Sequence, residues 1–300
     1  MNDSQRPHKP MKQWTGPAPI ALQRLLLAAC LASDHVARAT WFEWLAACDF
    51  DREDPASIEL AGLAVGRLGT VAGDGSEASR CRGWNRRAWY LSELSLDVAQ
   101  RLTEAFRARG VEAVAVGDLA TRAAGYRFAG RPFPVRRVEF EVFGASKSDL
   151  DALRRVPLPD PAAQVIRAGQ LPLAIHAGGT RYGTTRGTAA TLLIPDAGAH
   201  VAWLAARNWR RQAGGQLRWI LEILAVLHDA PDPTSVAPSV VAAARRAGTT
   251  YAVAAALRAV GSMPSAAVAL PVVAALEDAP LSLRSQLRRW ADMITSIKTS

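Results

Sequence analysis

Glu139 and Glu141 are the side chains in this sequence best spaced to do chemistry together. Residues 134–143 read Pro-Val-Arg-Arg-Val-Glu-Phe-Glu-Val-Phe. Side chains on a strand alternate between its faces. Val138, Phe140 and Val142 therefore share one face, and Arg137, Glu139, Glu141 and Phe143 share the other. Two carboxylates side by side on a strand backed by an apolar face can hold Mg²⁺, a hard cation that takes oxygen ligands together with substrate phosphates. The same pattern also describes an ordinary half-buried strand whose outward charges discourage edge pairing.

The elements that must position this pair are legible on either side. Leu91, Leu94, Val98, Leu102 and Phe106 form one apolar stripe at helical spacing, with Glu93, Asp97, Arg101, Glu104 and Arg107 between them. Gly110 ends that helix. A short strand, 111–116, follows, then a Gly117-Asp118 turn and a helix over 119–124. The acidic strand spans 135–143. Ser146 or Ser148 caps a helix over 149–155. Further strands are expected at 165–166, 171–176 and 191–194, the last two joined by a Gly/Thr-rich loop over 178–188. Residues 20–68 and 199–276 carry helical patterns broken at Pro, Gly and Asp clusters. Residues 199–212 and 216–228 are the clearest of the later helices. Arg80 to Tyr90, rich in arginine and tryptophan, reads as a helix packing its aromatic residues. Trp41, Trp44, Trp203, Trp209 and Trp219, at helical spacings, read as core.

The expected architecture is α+β and predominantly helical. It divides into a disordered tail (1–19), an N-terminal helical region (20–109), a small mixed-sheet α+β core (110–195) and a C-terminal helical region (196–300). The 300 residues are 49% hydrophobic with a net charge of +9, carried mostly by arginine. That charge admits anionic partners such as nucleotides, phosphorylated substrates or nucleic acid. No recognition helix or basic stripe of stacking aromatics argues for nucleic acid. No run is apolar and long enough to cross a membrane. Cys30, Cys48 and Cys81 are scattered, show no Cys-x-x-Cys spacing, and fit a reducing cytoplasm. The five histidines show no metal spacing, and no Ser-His-Asp or Cys-His set can be assigned.

The order of these elements resembles a bacterial family of nucleotidyltransferase-like proteins within the DNA polymerase β-type superfamily. Several local matches carry the resemblance, which spans roughly residues 22–276. The helix and strand over 91–116 look like the entry to the family's core, Gly117-Asp118 falls at its glycine turn, and Tyr126 lies near a family tyrosine. Glu139-Phe140-Glu141-Val142 fits its acidic-hydrophobic-acidic-hydrophobic strand. Ala174-Ile175-His176 resembles an Asp-Leu-His strand, and Ile194-Pro195-Asp196 resembles a Pro-Glu-Asp helix start. Arg218-Trp219-Ile220-Leu221-Glu222 resembles an Arg-Trp-Leu-x-Asp segment. The departures are Val116 for a lysine before the turn, glutamates for paired aspartates, and Ala174 for the third carboxylate. A register two residues earlier would put Arg137 and Glu139 in the acidic places.

The resemblance implies a nucleotidyltransferase-type sheet core. It also implies two Mg²⁺ ions on three carboxylates and in-line attack on the α-phosphorus of a nucleoside triphosphate. Glu139 and Glu141 are then the catalytic metal ligands. Gly117 and Asp118 form the phosphate turn, and Arg181, with Arg186, holds the triphosphate. The third ligand would come from Asp118, Asp196, Glu222 or His176. Two functions from different classes follow. One is Mg²⁺-dependent transfer of a nucleotidyl group to a small-molecule or peptide acceptor in a biosynthetic pathway. The other is a catalytically degenerate member that binds or scaffolds. The missing lysine and carboxylate favour the second. Arginine bridges filling the acidic cleft would favour it further.

Overall fold

The computed structural model describes residues 21–153, 166, 172–178, 181, 183–188, 192–210, 217–263 and 266–278. The sequence breaks into helices where the caps dictate. Helices α1 (Ala21–Leu31), α2 (Asp34–Ala47) and α3 (Pro55–Leu68) open the chain. Asp54 caps α3 by accepting from the Ala56 and Ser57 N–H groups, and Pro55 opens its first turn. The Gln23 amide of α1 also donates to Asp54, at 3.1 Å. Trp41 and Trp44 stack with ring centroids 5.3 Å apart, and both are buried. Each such aromatic contributes on the order of 2–3 kcal/mol through burial. A single 3-10 turn (Gly69–Ala72) follows α3.

Helix α4 (Ser76–Ala108) is 33 residues long and about 50 Å from end to end. It absorbs the Arg/Trp-rich segment, as expected. Its N-terminal half approaches α3 closely enough that Gly62 and Gly66 of α3 lie against Asn85. Its C-terminal half lays Val98, Leu102 and Phe106 on the sheet.

The main sheet has strand order β1 (Glu112–Ala115), β4 (Val138–Phe143), β5 (Leu173–Ala177). Strands β1 and β4 are antiparallel, while β4 and β5 are parallel. Helix α5 (Asp118–Ala124) follows β1, and α6 (Lys147–Leu153) follows β4. Val138, Phe140 and Val142 face α4 and α5 in one apolar cluster, where Phe106 meets Phe140 edge-on at 5.1 Å. The opposite face carries Val114, Val116 and Phe143, packed on Leu193 and Trp203.

The strand boundaries shrink from those expected: residues 135–137 precede β4 rather than belonging to it. Two small ladders contain three strands that the sequence did not suggest and one, at 191–194, that it did. One pairs β2 (Arg127–Phe128) with β3 (Arg131–Pro132), and the other pairs β6 (Thr184–Arg186) with β7 (Leu193–Pro195). The second places part of the expected Gly/Thr-rich loop in a strand. Such short pieces carry too little alternation to register in sequence. Ile166, expected in a strand, is helical; its neighbour at 165 lies outside the described residues.

The C-terminal helices are α7 (Ala197–Arg210), α8 (Arg218–Asp229), α9 (Pro233–Arg246), α10 (Thr250–Gly261) and α11 (Leu270–Glu277). They share one apolar core with α1–α3. The chain is thus predominantly helical α+β with a small mixed sheet, and no described helix is long and apolar enough to cross a membrane. The expected tail, 1–19, lies outside the described residues.

Candidate functional site

A cleft of about 450 Å³ opens where α3, α4, the turn after β1, the lead into β4, α7 and α8 converge. Glu139, Gly117 and Asp118 line it, as do Arg136, Arg137, Arg207, Arg218 and Glu222. The alternation of β4 holds: Glu139 and Glu141 project from the face opposite Val138, Phe140 and Val142. Arg137, just before the strand, lines the cleft together with Glu139, whereas Glu141 lies outside its lining.

Glu139 is buried, with only 4% of its surface exposed. Its Oε1 meets two donors. One is Nε2 of His176, at 2.8 Å, and the other is Nη2 of Arg207. In the parallel register Glu139 lies beside Ala174 and Glu141 beside His176, so the imidazole reaches diagonally across the strands. The Arg207 guanidinium also lies over the Trp203 ring, 4.6 Å from its centroid, where the ring face favours a cation. The two residues stand one helical turn apart on α7, so one face of that helix supplies both groups.

Trp203 covers the rest of the acidic face. Its Nε1–H donates to Glu141 Oε1 at 2.9 Å. Its six-membered ring lies 3.3 Å from where a Cβ on Gly117 would stand, and Gly117 has φ +60°. Glycine is required at this turn both for its backbone angle and for the indole lying on it. The sequence proposed phosphate approach as the reason for this glycine, whereas the structure seats a tryptophan there.

Asp118 turns away from the acidic pair. Its Oδ2 accepts from the Arg136 N–H at 3.2 Å and lies 4.0 Å from Arg218 Nη1. Beneath the cleft, Arg218 is buried among acids: Glu59 at 3.4 Å and Glu222 at 2.9 Å, besides Asp118. Arg136 bridges to the other oxygen of Glu59. Burial pulls the Arg218 guanidinium toward deprotonation, but the three acids more than offset it and hold it charged. Burial pushes the Glu222 carboxyl above its ordinary range, although Arg218 opposes the shift. Three carboxylates face two arginines here, so the deepest acid keeps a proton most readily.

Arg181 is not brought to this cleft. It pairs with Glu112 at 2.7 Å and lies over Phe143. Asp196 accepts from the Ala199 N–H and the Ser239 hydroxyl near the start of α7. Arg186 lies exposed on β6. Among the described residues no group of three or more His, Cys, Asp or Glu side chains is disposed to hold a metal. His176 is half-exposed and bonded to Glu139. The ion-pair partner of Glu139 is Arg207, which comes from α7 and not from its own strand. No local pattern in sequence links α7 to β4; only the i,i+4 spacing of Trp203 and Arg207 marks a common helix face.

Comparison with protein-family models, with curated proteins and with solved structures finds no match.

Proposed function

We propose that this chain is a nucleotidyltransferase-like protein that has lost metal-dependent catalysis and works as a binding protein. Three features support the nucleotidyltransferase-type core. A helix runs into a strand and a glycine turn, the next main strand carries two acids on one face, and one of them, Glu139, lines the cleft with Gly117. The observation that carries the functional reading is the pairing of Glu139 with Arg207. A fixed guanidinium stands against the carboxylate where the resemblance would put a divalent cation.

The donor set fits Mg²⁺ poorly. Mg²⁺ demands near-octahedral oxygen coordination and draws on carboxylates that are free to coordinate it. Here one oxygen of Glu139 already serves two donors, Glu141 accepts from an indole, and Ala174 occupies the third acidic place. No step through a metal is derived for this chain. Arg207 neutralises Glu139 permanently, and Trp203 occupies the approach to the glycine turn.

Calorimetric titration of ATP, GTP, CTP and UTP, with and without Mg²⁺, tests the reading. The wild type should show no Mg²⁺-dependent binding, and Glu139→Ala/Glu141→Ala should leave the metal-dependent signal unchanged at zero. Mg²⁺-dependent nucleotide binding that disappears in the double variant would return the chain to the catalytic reading.

A further inference from the structure

We propose that the cleft binds a sugar phosphate without a metal ion, the phosphate held by Arg87 and Arg137 at its mouth and the polyol body reaching its floor. The inference rests on the non-catalytic reading above and names its ligand class.

The mouth carries two cations without an ion-pair partner among the described residues. Arg87 of α4 is exposed, and Arg137 before β4 is half-buried. Both line the cleft, and neither forms an ion pair with any described residue. Arginine suits a phosphate because its planar fork of N–H donors matches the anion's oxygens. The whole lining sets five arginines against four acids. Retention of a proton by Glu222 makes the excess of positive charge larger.

The floor carries polar atoms that the protein leaves without hydrogen bonds. Arg218 Nε and Trp219 Nε1 are buried, and neither has an acceptor among the described residues. Their residues are 3% and 2% exposed and line the same cleft. Glu222 Oε1, 1% exposed, meets Arg218 Nη2 at 2.9 Å, which leaves Nε as the guanidinium atom without a partner. Buried donors without acceptors are costly, and native proteins rarely tolerate several together unless a ligand or water completes them. A hydroxyl-rich body supplies acceptors to Arg218 and Trp219, and its own O–H groups can meet Glu222. A volume of about 450 Å³ accommodates a small phosphorylated sugar.

Arg207 explains why a metal is unnecessary. Phosphate sites often use a divalent ion to offset charge, whereas here the offset is covalently attached to α7. The ligand's anion then needs only the two unpaired arginines.

The test is calorimetric titration of ribose 5-phosphate into the full chain in EDTA, beside inorganic phosphate. Ribose 5-phosphate should saturate one site per chain, at least tenfold more tightly than inorganic phosphate. Arg87→Gln/Arg137→Gln should weaken it at least tenfold. Arg101→Gln, an exposed position on α4 paired only with Asp97, should not change it. Both cleft substitutions are at residues without ion-pair partners among the described residues, and an unchanged melting curve for the double variant certifies the fold. Absence of saturable binding in EDTA would overturn the proposal, as would binding undiminished by the double variant. Equal affinity for the two anions would overturn the assignment to a sugar. Each result is read without Mg²⁺, so it is separate from the nucleotide titration that tests loss of metal dependence.

Discussion

The residue that decides the character of the site is Arg207. A buried carboxylate must be neutralised, protonated or coordinated. Glu139 is neutralised by a guanidinium whose position is fixed from behind by the Trp203 ring. Breaking one side of such a pair costs more than removing both, because it strands the other charge. Arg207→Met should therefore lower unfolding free energy by about 2–3 kcal/mol, less than the full value for a dry pair because Arg207 keeps some exposure. Glu139→Gln in the same chain should recover more than half of that loss. Urea denaturation of the two single variants and the double gives the coupling; additive losses would mean that the two side chains do not depend on each other. Sequence reasoning found Glu139 because alternation is local, and it missed Arg207 because the contact is made only by tertiary packing. Likewise, Arg218 and Glu222 were matched to a family segment, but their meeting with Glu59 and Asp118 could not be read before the helices were docked.

At the scale of elements, α7 is the part that closes the site. Trp203 and Arg207 line one stretch of it, and His200 lies one turn earlier. His200 is buried, and its Nε2 lies 2.9 Å from the Thr121 hydroxyl of α5, which joins the helix to the glycine turn's own helix. The Tyr126 ring is stacked on it at 6.3 Å, an assignment for that tyrosine that sequence left open. Burial pushes the imidazole down to about 4, with the Asp118 charge opposing weakly. The linkage has a definite sign. The unfolded chain takes up a proton near the ordinary pKa of 6.5, and the folded chain resists until about 4. The contribution to stability is complete above 6.5 and is lost as pH falls toward 4. Between pH 7 and pH 5 it should fall by about 2 kcal/mol. Glu222 acts in the opposite sense, since a raised acid pKa gives stability that is lost as pH rises through the folded value. The His200 component is therefore isolated by comparing wild type with His200→Gln in urea melts at the two pH values. The variant should lose less stability on acidification than the wild type; equal losses would place the imidazole in contact with water.

The strands illustrate what was legible at this scale. The acidic strand, the stripe of α4 and the glycine turn all come from short-range periodicity, and all three are present. Strands β2, β3 and β6 are only two or three residues long and lie beside turns, so no period is long enough to detect, whereas β7 overlaps the strand expected at 191–194. Arg181 was expected near phosphate because it lies in a glycine-rich stretch, but pairing with Glu112 holds it at the edge of β1 instead.

Across the whole molecule, α4 ties two cores together. Its C-terminal half packs on the sheet, and its N-terminal half stands over the cleft beside α3. The N-terminal and C-terminal helices, far apart in sequence, form one apolar core, so the cleft is walled by segments from both ends of the chain. Composition showed only that an anionic partner was admissible at net charge +9. The structure concentrates part of that charge in the cleft and sets Arg207 against Glu139, and the proposal is that the acidic pair therefore holds no metal. The most direct test of that claim is Mn²⁺ binding, followed by electron paramagnetic resonance as the ion is titrated into the wild-type protein and into Glu139→Gln/Glu141→Gln. With Arg207 in place, the wild type should leave the Mn²⁺ spectrum that of the free ion, and the variant should behave identically. Stoichiometric Mn²⁺ capture by the wild type that is lost in the variant would contradict the account, because it would show the two glutamates free to hold a metal.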